Sequence, residues 1–498
     1  MMDAENFSES TRKLSNIPIN ISMIAANSEP IDYSGSTFSE IMDAIGHADA
    51  MLMRTHGDPK YMKKFGQIMA TAKENGVIVF IYCDEDDVMT EHRPDCDLDD
   101  EGFAIMRKYM GLGGDDNYAN AIAWICRRAV GGDFEIAAPV VPRAQGLFHP
   151  DCPEGFDEDE YLESVQDGRP VIGILFRQYY YLAHNHSHID ALVRTIESLG
   201  AAAIPVFCQS APSDITESIG MRATIDRYFK KNGKTTIDAL VMSFRFSQLA
   251  AACPGESSSD NFFESLDVPV IQAPFVLRSP EDWESSEGLN ANELATTVIW
   301  PEFDGQIISA PLTFLSLDKN GRYGTRFIQD RVDRTAQLAV AWASLRRKKN
   351  SEKKVAIILN MHSASSDAMG GASGLDTFES LCRFLRSMKD AGYSIDEIPD
   401  SREAFVERLL GGLTNDLDTL PIRNMLEMAA GSVDKKKYGA VLDGIPEDRK
   451  AEMISRWGEA PGTAMVEKGK IAIPGMMDGN IFIGFQPTRG DPYDFSDE

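Results

Sequence analysis

The sequence is short of basic charge, short of histidine and free of long apolar runs, and each shortage removes a class of protein. Lys and Arg number 49 against 77 Asp and Glu, a formal net charge of −28. That balance argues against a nucleic-acid or anionic-membrane surface and for attraction of cations. Two short basic runs, "LRRKKNSEKK" and "DKKKYG", lack interleaved aromatics and are expected to be solvated surface. No apolar run approaches the roughly 18 residues that cross a bilayer. The opening "MMDAENFSESTRKLSN" has no apolar signal core, so a cytoplasmic location without membrane insertion is expected. The cysteines (Cys83, Cys96, Cys126, Cys152, Cys208, Cys253 and Cys382) are scattered, odd in number and without a CxxC. They argue against a disulfide framework and a structural zinc. "KKNGKTT", 230–236, imitates the end of a P-loop but has Tyr228 where the first glycine belongs. If the protein serves an ATP-driven process, a partner hydrolyses the ATP.

What is present is a rhythm of short β-rich runs, most of them followed by amphipathic helical pattern. "AMLMRTH" and "VIVFIYC" flank one helix; "VIGILF", "AAIPVFC" and "ALVMSF" set a second series; "KVAIILN" opens a third. This is the signature of α/β layers with parallel strands. The expected class is α/β and multi-domain, with several Rossmann-like or flavodoxin-like parallel-sheet units and a helical insertion near the C-terminal end. At 498 residues the chain exceeds one ordinary core. The acid-, Pro- and Gly-rich stretch 140–170 marks the first boundary, giving expected divisions 1–150, 151–325 and 326–498. In the connecting helix within the run 317–350, Val332, Leu338, Ala339, Trp342 and Leu345 are expected on one face.

Three of the eight histidines fall within five residues, in "FRQYYYLAHNHSHIDALVRTIESLG", 176–200. Ile189, Leu192, Val193 and Ile196 share a helical face, with Gly200 as a stop. Ser187 suits the N-cap and Asp190 a capping-box partner, which gives Asp190 a structural task; His188 is expected to face solvent. His184 and His186 occupy the loop leaving the carboxyl end of a strand, the edge at which open parallel sheets bind ligands. They are candidates for a ligand-facing loop or a metal site, against the plainer reading of a surface loop.

Two further places carry candidate chemistry. In "NMHSASSDAMGGASGLDTFESLCRFLRSMKD" a long loop of small residues precedes a helix that Asp376 can cap, which is either an anion cradle or a set of tight turns. "VIWPEFDGQI" sets Glu302 and Asp304 among Trp300 and Phe303, as proton acceptors, cation guides or ordinary turn residues.

Taken in order, five runs, "GILFRQYYYLAHNHSHIDALVRTIESLGAAAIPVF", "SLDVPVIQAPFVLRSPEDWESSEGLNANELATTVIWPEFDGQI", "RVDRTAQLAVAWASLRRKKNSEKKVAIIL", "GGASGLDTFESLCRFLRSMKDAGY" and "PGMMDGNIFIGFQPTRGDP", resemble the large subunit of cobaltochelatase (CobN type) and its relative, the magnesium chelatase H subunit. The resemblance implies a tetrapyrrole-binding subunit into whose bound ring Co2+, or alternatively Mg2+ or Ni2+, is inserted as substrate, with ATP hydrolysed by AAA+ partner subunits. It implies a candidate tetrapyrrole- or metal-delivery surface comprising Arg177, His184, His186, Glu302, Asp304, His362, Asn480 and Gln486, with His184 and His186 nearest the metal. The family's large subunits are longer and continue into a GTHG-type motif and a catalytic glutamate. This chain is therefore expected to be an N-terminal portion completed by a second large-subunit polypeptide. The family's asparagine in the glycine loop is replaced in "GGASGLD". The alternatives are an H-like magnesium chelatase subunit and a non-catalytic tetrapyrrole or metal carrier.

Overall fold

In the computed structural model the described residues are 4–24, 28–33, 35–133, 135–152, 155–249, 261–276, 278–317, 323–361, 369–416, 424–462 and 465–487. They form two compact units, Met1–Arg347 and Lys348–Glu498.

In the first unit, strands β1 (Ala50–Thr55) and β2 (Ile78–Cys83) pair in parallel around the helix Phe65–Glu74, the single crossover foreseen from their spacing. Helices Asp100–Leu112 and Asp115–Val130 complete this layer over a core that includes Ile68, Phe80, Ile81, Met106 and Tyr109. The turn between the two helices is made by Gly113 and Gly114, both at positive φ, where a side chain would be strained.

The larger sheet of this unit gathers β3 (Gly146–Leu147), β4 (Val171–Arg177), β5 (Ala202–Cys208), β6 (Ala239–Ser243), β7 (Val270–Gln272) and β9 (Ile307–Ile308) in the order β9-β7-β6-β4-β5-β3. All pairs are parallel except β3 with β5. The five parallel strands, numbered along the chain, stand in the flavodoxin-like order 2-1-3-4-5, whose direction reverses between β4 and β6. Successive residues of β4 feed opposite cores: Val171 and Leu175 join Met221, Ile225 and Phe229, while Ile172, Ile174 and Phe176 join Ile189, Leu192, Val193 and Ile196. Burial on both faces is why β4 has no polar alternation, and each such side chain contributes about 2 kcal/mol. A second small sheet carries β8 (Phe275–Val276), β10 (Thr313–Leu317) and β11 (Tyr323–Phe327).

The helix Gln329–Arg347 departs from expectation in its buried face. Val332, Ala336, Ala339 and Ala343 pack into the core, while Trp342 and Leu345 are exposed. Spacings of four, three and four follow the helical period closely, and alanines let the helix lie close to its neighbours. The basic run at its end is also not free surface: Arg347 donates to Asp238 (2.8 Å) and to the Gly168 carbonyl (2.7 Å).

In the second unit, Ile481–Phe485 lies between Val355–Leu359, parallel to it, and Gly475–Asp478, antiparallel. Helices Thr377–Asp390 and Arg402–Leu410 supply Leu381, Cys382, Leu385, Phe405 and Leu409 to the core with Ile481 and Ile483. Asp376 caps the first of them, accepting from the Glu379 N–H (3.1 Å), as the sequence predicts. The helical insertion is Met425–Met428, Lys435–Leu442 and Glu447–Trp457, with a small antiparallel sheet beside it. Among the described residues no helix is long and apolar enough to cross a membrane.

Candidate functional site at the carboxyl edge of the larger sheet

The histidine segment leaves the end of β4 through a short helix, Gln178–Leu182, which His184 closes in a left-handed conformation (φ 51°). The three imidazoles then part. His184 is exposed, with Nε2 3.8 Å from the Asp115 carboxylate, which also holds Lys13 at 2.8 Å. His186 packs on Phe148 (ring centroids 4.4 Å) and its Nδ1 meets Asp190 at 3.1 Å. His188 is fully buried, edge-on to Tyr180 at 4.7 Å. Burial pushes its pKa down to about 3, with His186 adding to the effect, and both of its ring nitrogens lack a hydrogen-bond partner among the described residues.

Two expectations are corrected here. His188 faces the core, because it precedes Ile189 on the buried side of the helix Ser187–Ser198. The flanking residue of that helix is His186, whose carbonyl takes the first N–H bonds, from Ile189 and Asp190. Asp190 accordingly holds the His186 ring rather than completing a capping box with Ser187. Among the described residues no three His, Cys, Asp or Glu side chains converge as a metal-binding group.

Glu302 and Asp304 also separate. Glu302 is exposed, whereas Asp304 is buried and accepts from Ser247 Oγ and the Gln248 N–H, each at 2.6 Å. Burial raises its pKa, and the donated hydrogen bonds offset part of the rise. Asp304 thus fastens the loop that follows β6. In the second unit, Asn480 lies in the turn before the Ile481 strand and donates to the Ser351 carbonyl (3.0 Å). Gln486 lies at the opposite, carboxyl end of that strand, its N–H bonded to the Leu359 carbonyl (2.8 Å). His362 lies outside the described residues.

The loop fastened by Asp304 carries the residue that sequence reasoning missed, Arg245 in "VMSFRFSQ". Its side chain is 5% exposed and donates to Thr296 Oγ1 at 2.5 Å, while its Nε has no acceptor among the described residues. A π-helical turn, Ala295–Ile299, follows the helix Ala291–Leu294. The Thr296 carbonyl in that turn receives the Phe246 N–H (2.8 Å), so the widened turn and the loop after β6 are stitched together. Phe246 is held at φ 68°, a strained conformation for an aromatic residue and one that gathers at functional sites. Its half-exposed ring tilts against Trp300 at 5.6 Å.

Arg177 stands at the end of β4 with its guanidinium over Tyr179 (5.3 Å). Burial disfavours the charge on Arg245 and Arg177 adds to that effect; burial also raises the Cys208 thiol, which Arg177 offsets only in part. Between them runs a glutamine relay: Gln178 donates to the Arg143 carbonyl (2.8 Å) and accepts from Gln209 (2.7 Å), Gln209 accepts from Thr216 (2.9 Å), and Gln248 accepts from Ser210 (2.8 Å). The edge between β4 and β6 therefore gathers the partly exposed guanidinium of Arg177 and the buried one of Arg245, together with amide groups and aromatic rings, at the point where strand order reverses. Such a surface suits a flat, apolar ligand that carries acid groups. A lone arginine in an apolar string gives no periodic signal, and only the pairing of distant segments reveals it.

Fold and edge together define an α/β protein of flavodoxin-like strand order with guanidinium groups and aromatic rings at the carboxyl edge of its larger sheet. The sequence pattern of the family described as CobN/Magnesium Chelatase matches residues 107–497, and the chain belongs to that family. An uncharacterized protein of Methanocaldococcus jannaschii is 33% identical over 420 residues, 81% of this chain and 34% of that protein. The aerobic cobaltochelatase subunit CobN of Pseudomonas aeruginosa is 27% identical over 484 residues, 94% of this chain and 37% of that protein. The solved catalytic subunit of cobaltochelatase from Mycobacterium tuberculosis superposes with a TM-score of 0.62 at 23% identity, over 98% of this chain and 38% of that one, a likeness of fold. The chain spans about a third of the length of the curated relatives it matches.

Proposed function

We propose that this chain is the tetrapyrrole-binding part of an ATP-dependent metal chelatase large subunit. In this reading Co2+ is the ion inserted, hydrogenobyrinic acid a,c-diamide is the ring that receives it, and separate AAA+ subunits hydrolyse ATP. The observation that carries the reading is the edge between β4 and β6, where Arg245 stands over Phe246, whose ring meets Trp300, and Arg177 stands over Tyr179. A macrocycle with acid side chains needs an apolar wall for its faces and cations for its rim, and this edge sets both side by side in a chain of net charge −28. Insertion also requires that a divalent cation be delivered and two pyrrole protons removed. Exposed Glu302, and His184 and His186 on the loop after β4, are the groups assigned to cation delivery.

The test is a titration of the purified chain with hydrogenobyrinic acid a,c-diamide and with metal-free porphyrins, followed by absorbance. Saturable micromolar binding supports the reading, and flat titrations with every ring reject it. Tighter binding of a porphyrin than of the corrin-type ring moves the assignment to an H-like magnesium chelatase, the second reading that the family also includes. Replacing His184 and His186 together by alanine is expected to leave folding intact and to weaken Co2+-dependent spectral change; an unaltered response removes them from the site.

A further inference from the structure

Among the described residues Arg245 is a buried cation without a counter-charge of its own. The carboxylate that weighs most on it is Glu293, yet both oxygens of Glu293 are taken by Arg278, at 2.9 and 2.7 Å. Arg177 repels it. Of its five N–H donors, one is spent on Thr296 and Nε has no acceptor among the described residues. The rings of Phe246 and Phe275, 5.6 and 5.5 Å from its guanidinium carbon, hold the group by cation–π contact, which orients it without neutralising it. A guanidinium kept in this state is ready for a planar anion, because its fork matches a carboxylate with two parallel hydrogen bonds.

We infer that Arg245, assisted by Arg177, is the anchor for one peripheral carboxylate of the ligand, and that it sets which way round the macrocycle lies in the edge between β4 and β6. The inference rests on the tetrapyrrole reading above and deepens it. Phe246 and Trp300 then meet the apolar ring, and the carboxylate reaches past them to Arg245. Discrimination follows from chemistry: a ring whose acids are capped as esters or amides leaves the buried guanidinium unpaired and binds less well.

The experiment compares hydrogenobyrinic acid a,c-diamide with its fully esterified form on the wild-type chain, on Arg245→Gln and on Arg245→Lys. The wild type is expected to prefer the acid form, and in Arg245→Gln that preference falls about tenfold to a hundredfold, the range for losing charge-assisted hydrogen bonds. Lysine, a point charge without the fork, restores only part of it. Excess acetate distinguishes a macrocycle anchor from a general carboxylate site: competition at millimolar concentration with the ester form, which has no free acid, assigns the site to small carboxylates and overturns the inference. An unchanged acid-to-ester preference in Arg245→Gln also overturns it while leaving the tetrapyrrole reading intact. Failure of both rings to bind the wild type rejects that reading and the anchor with it. Should Arg245→Gln not fold, Arg177→Gln, at a partly exposed position, provides the same measurement with a smaller expected loss.

Discussion

Two regions of the first unit bury ionisable groups and treat them in opposite ways. Beside the end of β2, His92 is buried with both ring nitrogens met by carboxylates, Nδ1 by Asp95 at 2.7 Å and Nε2 by Asp58 at 2.9 Å; Asp58 is shared with Lys60 at 2.5 Å. Burial opposes the charge on His92, but the bonds to Asp58 and Asp95 overcome it and its pKa rises. Burial likewise opposes charge on Asp58, yet Lys60 and His92 hold its pKa down to about 2. At the carboxyl edge of the larger sheet, His188 and Nε of Arg245 are buried with no such partners among the described residues. A saturated cluster has nothing left to offer a ligand, whereas an unsaturated one is a cost that folding alone does not recover. The contrast separates a saturated cluster from an unsaturated one on the same chain.

Substitutions can break this contrast. The largest effect is expected from Arg278→Ala, which strands the buried carboxylate of Glu293: a loss of about 3–4 kcal/mol in chemical denaturation. A loss below about 1 kcal/mol would show that Glu293 turns to Arg245 instead, and would undo the reading of Arg245 as unpaired. His92→Leu is next, at about 2 kcal/mol, with a distinctive pH profile. A raised histidine pKa gives stability that is complete below about 6.5 and lost as pH rises through the folded value. The lowered Asp58 gives stability present above about 4 and lost as pH falls toward 2. The gap in Tm between wild type and His92→Leu should therefore be widest between about pH 4 and 6.5 and should narrow on going to pH 9.

His188→Leu sharpens the comparison by reversing the sign. Removing an imidazole with no hydrogen-bond partner among the described residues is expected to stabilise the chain by about 1 kcal/mol at pH 8. Since the depressed pKa of His188 makes the wild type lose stability as pH falls below about 6.5, the gain should grow on acidification. Destabilisation at both pH values would mean that a partner satisfies the ring. The smallest effect is that of Arg245→Met, for which denaturation midpoints should match the wild type within about 1 kcal/mol, because an incompletely paired guanidinium contributes little to folding.

Much of the scaffold was legible in the residues. The strand runs at 50–56, 77–83, 171–176, 202–208 and 239–244, the buried face of the helix after the histidines, and the Asp376 cap all fall where periodicity and capping rules put them. The histidine cluster was legible only as a loop and helix start. H-x-H-x-H spacing says nothing about where each ring points, and one-residue steps around the start of a helix sent His184 to Asp115, His186 to Phe148 and Asp190, and His188 into the core. The exposed positions of Trp342 and Leu345 show the same limit, since alanines took the packed face instead.

The sequence by itself determined the α/β class, because strand and helix periods are local and each apolar run must be covered on one or both faces. It determined the acidic balance and the collinear likeness to one family for the same reason: they are written in residue order. Tertiary structure alone decided the strand order that reverses between β4 and β6, and which polar groups are satisfied. Arg245 finds its hydroxyl partner 51 residues away in a π-helical turn, and no pattern along the chain states whether a carboxylate will also arrive.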